Sequence, residues 1–146
     1  MNAVDPEGTI PPFHLAVPVD DLAAARKFYG ETLGCPEGRS SDRWIDFNFR
    51  GHQFVVHLGE PLGCKGESTV DGHQVPQMHF GLVLDMASWK DLADRLTAAG
   101  TNFVMKPTIR FEGQPGEQAT MFLRDPAGNA LEFKAMKDRS NLFATD

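Results

Sequence analysis

At 146 residues and 41% hydrophobic, the chain has the length and apolar content of one domain with its own core. Its 14 basic against 20 acidic residues leave a net charge of −6 with no basic run, which argues against nucleic acid or an anionic membrane surface as a partner. No stretch approaches the roughly 20 apolar residues of a membrane span, Met1 to Glu7 lacks an export signal, and Cys35 and Cys64 are too few for a disulfide framework or zinc cluster, so a cytoplasmic protein is expected.

Residues 1–11 are polar and broken by proline and glycine, a loose lead-in. Phe13 to Val19 alternates as a strand, with Phe13, Leu15, Val17 and Val19 on one side and His14, Ala16 and Pro18 on the other. Asp20 and Asp21 offer an N-cap for a helix from Leu22, whose apolar residues recur to Leu33 and which Gly34 ends. Residues 35–41 supply a possible short strand, and Trp44 to Phe49 alternates clearly. Arg50-Gly51 turns the chain into Gln53 to Leu58, and residues 59–76 read as a connection between halves. The pattern then restarts with a strand over Met78 to Asp85 and a helix from Trp89 to Leu96 capped by Ser88. A strand at Asn102 to Met105, a polar loop from Lys106 to Glu117 and a closing pair, Ala119 to Arg124 and Asn129 to Ala135, complete the chain.

His14 and His79 stand at matching places, each on the polar side of a strand that leads into an amphipathic helix. Such repetition means two copies of one supersecondary unit, here β-α-β-β-β, with module one at about 12–58, a linker at 59–76 and module two at about 77–137 of a single domain. The expected class is α+β, with the modules paired as a curled mixed sheet. One helix per four strands covers only one sheet face. The other face carries His14, Trp44, Asp46, Asn48, Gln53, His57, His79, Thr120, Phe122, Glu132 and Lys134, too polar for a dry core and too aromatic for plain surface. That set suits a cavity wall. Glu132, inside an apolar strand, needs compensation. His14 and His79 are the best candidates, and two imidazoles with one carboxylate form a set that a divalent transition metal accepts.

Three stretches carry a family resemblance: Phe13 to Leu22 with Phe28-Tyr29, Met78-His79-Phe80-Gly81, and Phe122 to Glu132 around Asp125-Pro126-Ala127-Gly128. They resemble the vicinal oxygen chelate superfamily of glyoxalases, bleomycin-resistance proteins, fosfomycin thiol transferases and extradiol dioxygenases, and most of all its small extradiol-dioxygenase-like proteins. The resemblance implies a metal held by His14, His79 and Glu132. Matching Gly51 to Gly128 puts Val55 at the fourth ligand position that glyoxalases use, which leaves open sites and favours Fe(II) oxidoreductase chemistry over an isomerase. A two-residue slip would make His57 or Gln53 that ligand instead. Mn, Ni or Zn would serve a glyoxalase-like isomerase or thiol transferase, and a metal-free drug-binding resistance module is the third possibility. His57 is otherwise the candidate catalytic acid or base. Trp44, Asn48, Arg110 and Phe122 are the candidate substrate contacts, with Arg110 placed to clamp a carboxylate. Tyr29 is assigned to the core, and His52 and His73 to a turn and the linker. A small-molecule substrate and a homodimer are the expected partners.

Overall fold

Alternating residues build the strands, and each strand reached by an α-helical crossover lies parallel to the strand that fed the helix. The computed structural model describes residues 10–63, 66–70 and 72–145. It divides into two compact units, with the boundary between Glu60 and Pro61. Cys64 and most of the expected lead-in lie outside the described residues.

In the first unit, β1 (His14–Val19), β2 (Glu37–Ser40), β3 (Trp44–Phe49) and β4 (His52–Leu58) form a sheet in the order β1-β4-β3-β2. β1 and β4 run parallel, while β4-β3 and β3-β2 are antiparallel. Asp21 caps α1 (Leu22–Ala25) by accepting the Ala24 N–H at 3.0 Å, and a π-helical turn from Arg26 to Thr32 follows. Tyr29 is fully buried there, with its ring 4.7 Å from Phe54 and 5.6 Å from Phe47. Gly34, at φ 74, ends the helix as expected.

The second unit repeats the plan. β7 (Phe80–Leu84), β8 (Phe103–Arg110), β9 (Gln118–Arg124) and β10 (Ala130–Met136) take the order β7-β10-β9-β8, and α2 (Met86–Ala98) crosses between β7 and β8. Trp89 on α2 is buried, and its indole N–H donates to the Phe133 carbonyl of β10 at 2.9 Å. The fold is therefore α+β with two βαβββ modules. Ala16 pairs with Val55 and Gly81 with Glu132, so His14 and His79 precede equivalent strand positions by two residues each.

Several boundaries differ from the sequence reading. The connection at 59–76 contains a hairpin, β5 (Glu67–Val70) with β6 (His73–Pro76), whose four-residue strands are too short to show a period. The loop expected from Lys106 is strand as far as Arg110. Pro107 lies within β8, which is an edge strand with a register shift between Met105 and Thr108, and such edges tolerate proline. Asp85, not Ser88, caps α2: its carboxylate accepts the Ser88 N–H and hydroxyl, each at 2.8 Å. β7 begins only at Phe80, so His79 stands outside the ladder.

Candidate functional site

Glu132 lies on β10, an inner strand, in register with Gly81 on one side and Phe122 on the other. The turn before it fixes that register. Asp125 is buried, and its carboxylate accepts from the Ala127 N–H, the Asn129 N–H and the Asn129 side-chain amide at 2.8–2.9 Å. Gly128, at φ 94, makes the left-handed step that Pro126 and Ala127 lead into. With β9 and β10 locked, Thr120 faces Glu132, and its hydroxyl donates to Oε2 at 2.7 Å.

His79 approaches the same carboxylate from the entry to β7. Its Nδ1 is 2.8 Å from the Pro76 carbonyl oxygen, and because a carbonyl only accepts, Nδ1 carries the hydrogen. Nε2 stands 3.4 Å from Glu132 Oε1, a geometry that serves an ion pair of a protonated ring with the carboxylate or a pair of ligands turned toward one cation. A histidine anchored through one nitrogen to a carbonyl is also how metal ligands are oriented. The two side chains keep 31% and 17% of their surface exposed, so the pair is shielded but reachable. Phe122 holds the imidazole edge-on, with ring centroids 5.0 Å apart.

The pair opens into a cavity of about 460 Å³, a size suited to a small organic molecule. Its apolar lining comes from Val70, Val75, Met105, Ala119 and Phe122. The polar side chains are His73, Thr108, Arg110, Gln118 and Lys134 besides the His79, Thr120 and Glu132 cluster. Of the candidate residues, His79, Glu132, Phe122 and Arg110 thus share one cavity. His73, assigned to a linker, lines it from β6, and Thr108 joins it only because β8 continues past Pro107. The alternation of Thr108 with Arg110 was the signal for the latter; the short His73 strand offers none.

The other candidates sit on the first unit's sheet. Asn48, Gln53 and His14 form one cross-strand row, and Trp44, His57 and Pro18 another. His14 and His57 are exposed. Asn48 Oδ1 accepts the Gly51 N–H at 2.6 Å, which closes the β3–β4 turn. Arg39 lies over Trp44, 5.6 Å from its ring centre. Val55, the counterpart of Glu132 by register, is buried. His52, expected in a turn, begins β4 instead, and its Nδ1 accepts the Phe13 N–H at 2.9 Å. Among the described residues no three His, Cys, Asp or Glu side chains gather as a metal cluster, so His79 and Glu132 are two members of a set that His14 completes only by proposal. No helix among the described residues is long and apolar enough to cross a membrane.

A profile of the Glyoxalase/Bleomycin resistance protein/Dioxygenase superfamily matches residues 12–133. Among solved structures, a glyoxalase/bleomycin resistance protein/dioxygenase from Alicyclobacillus acidocaldarius is similar at 33% identity, covering 91% of this chain and 96% of its own, with a TM-score of 0.75. A lactoylglutathione lyase from Agrobacterium tumefaciens is 20% identical, with coverage of 92% and 96% and a TM-score of 0.63. A glyoxalase/dioxygenase from Nostoc punctiforme is 17% identical, with coverage of 94% and 99% and a TM-score of 0.66; at these identities the last two share the fold. No curated protein sequence matches the chain.

Proposed function

The chain belongs to the glyoxalase/bleomycin resistance protein/dioxygenase superfamily, and on that premise we propose that it is a metal-dependent enzyme acting on a small molecule. The observation that carries this reading is the His79–Glu132 pair, with Nε2 3.4 Å from the carboxylate oxygen on the wall of a cavity. His79 and Glu132, with His14 as third ligand, hold a divalent metal, Fe(II) first and Mn, Ni or Zn as alternatives. Val55 keeps the set at three protein ligands, the pattern of non-haem iron oxygenases with open coordination positions. When bound, iron would supply a redox-active Lewis acid and zinc a Lewis acid alone.

The chain's own residues hold and orient. The Pro76 carbonyl fixes the His79 tautomer, and the Thr120 hydroxyl fixes the rotamer of Glu132. Phe122 gives a planar substrate an aromatic wall, and Arg110 binds its polar end; Trp44 and Asn48, outside that lining, are further proposed contacts. His57 moves the proton that a catecholic hydroxyl loses and a ring-opened product regains. The reaction is accordingly an extradiol-type dioxygenation, carried out by a cytoplasmic homodimer.

The test is oxygen uptake by Fe(II)-loaded protein across a panel of catechols, with His57→Gln alongside. Uptake that depends on a catechol, and falls about 100-fold or more in the variant, supports the assignment. Tightly held manganese, nickel or zinc with no oxygen uptake moves the chemistry to isomerisation or thiol transfer at the same residues. A protein that binds small molecules but no metal is instead a sequestering module.

A further inference from the structure

The cavity of the second unit has two chemically different ends. One is the His79–Glu132 pair. Lys134 lies two residues further along β10 on the same face, about 7 Å from Glu132 along the strand, and pairs with Thr120. Arg110 lies across β9, paired with Gln118 at the end of β8. Two neighbouring strand spacings, about 10 Å, separate the backbones of β8 and β10, well within the combined reach of an arginine and a lysine side chain.

Lys134 and Arg110 are the permanent cations of this lining and Glu132 is its carboxylate; the Arg110 guanidinium is already engaged, 5.2 Å from the Phe111 ring centre. Glu132 is committed elsewhere, with Oε2 to Thr120 and Oε1 toward His79. No carboxylate among the described residues forms an ion pair with Lys134, although that lysine is only half exposed on an inner strand. A cation partly withdrawn from water without an acid beside it is a poor choice for stability and a good one for capturing an anion. Val75, Met105 and Phe122 supply apolar wall to the same cavity.

We propose that this cavity takes a small organic acid, its carboxylate or phosphonate held between Lys134 and Arg110 and its apolar body lying along Phe122 toward the His79–Glu132 pair. This deepens the proposed function and rests on its reading that the cavity holds the substrate, but it requires no metal.

The experiment titrates the full-length chain, stripped on a chelating resin and kept in low-salt Tris chloride, with benzoate, phenylphosphonate and benzamide by calorimetry and amide NMR. Benzoate or phenylphosphonate is expected to bind about 10-fold or more tightly than neutral benzamide, and the tighter of the two identifies the acid group. Lys134→Met and Arg110→Met should each weaken the anion about 10-fold or more and leave benzamide unchanged, while Lys134→Arg retains binding. Thermal midpoints certify folding, and if the Arg110 variant does not fold, the two Lys134 variants decide. Equal affinity for benzamide, no binding of either anion, or anion binding indifferent to Lys134→Met overturns the proposal. Because the titrated chain is metal-free, a protein that never binds metal leaves this result untouched. Conversely, a metalloprotein that does not prefer the anions removes this inference alone.

Discussion

Gly81 is the position at which a single methyl group should do most damage. It faces Glu132 across the parallel β7–β10 ladder, and a Cβ there would fall inside the van der Waals envelope of the Glu132 carbonyl oxygen, 2.6 Å from its carbonyl carbon and 3.2 Å from its nitrogen. All three atoms are backbone, so no rotamer change relieves the clash and the strands must part. Overpacking of this kind costs about 1–3 kcal/mol, and two weakened ladder hydrogen bonds add about 1 kcal/mol each. The total for Gly81→Ala is about 3–5 kcal/mol, a large share of the stability of a domain this size. At roughly 3 °C per kcal/mol, Tm should fall by about 10–15 °C. The same displacement lifts His79, two residues upstream, away from Glu132, so metal retention should fall as well. Gly116→Ala is the control. Nothing lies within 4 Å of its added Cβ, and its effect should stay within about 0.5 kcal/mol. Urea unfolding followed by circular dichroism reads both variants. A Gly81→Ala midpoint equal to that of Gly116→Ala would refute the claim that this glycine sets the strand approach.

Other consequences follow from single residues. Asp125→Ala strands three donors in the β9–β10 turn and should cost about 2–4 kcal/mol in urea unfolding. Arg50 sits at φ 51 beside Gly51 at φ 95, a two-residue hairpin turn that favours Asn-Gly, so Arg50→Asn should raise stability by about 0.5–1 kcal/mol, read as a higher Tm. Arg26 forks onto Glu37 at 2.9 and 3.1 Å and holds its carboxyl below the ordinary value of 4.5. A depressed carboxyl pKa stabilises the folded state above the unfolded value and is lost as pH falls through the folded one. Glu37→Gln should therefore lower stability slightly at pH 7, by under about 1 kcal/mol for so exposed a pair, and the difference from the parent should shrink as pH falls below 4.5.

The features legible in the sequence were those with a period or a repeat. Alternation over Trp44 to Phe49 marked β3 to the residue, and the matching places of His14 and His79, each on the polar side of a predicted strand that leads into an amphipathic helix, revealed the duplicated module. Glu132 stood out because its strand is otherwise apolar. What escaped was set by tertiary context. Pro107 looks like a strand breaker until β8 is known to be an edge strand with a register shift. The β5–β6 hairpin, and with it His73 on the cavity wall, is shorter than any period can register. The π-helical turn after Ala25 leaves no compositional mark, since its residues are those of an ordinary amphipathic helix. The anchoring of His79 depends on a single carbonyl three residues upstream, 2.8 Å from its Nδ1, which no sequence pattern marks.

The central claim is that Glu132 and His79, with His14, hold a metal. Elemental analysis of anaerobically purified protein, beside Glu132→Ala, His79→Ala and His14→Ala, addresses it most directly. The account predicts about one divalent metal per chain, iron foremost, retained through desalting by the parent and lost in all three variants while their folds persist. A parent chain that stays metal-free after anaerobic addition of Fe(II), Mn(II), Ni(II) and Zn(II), or one whose metal survives all three substitutions, would contradict it.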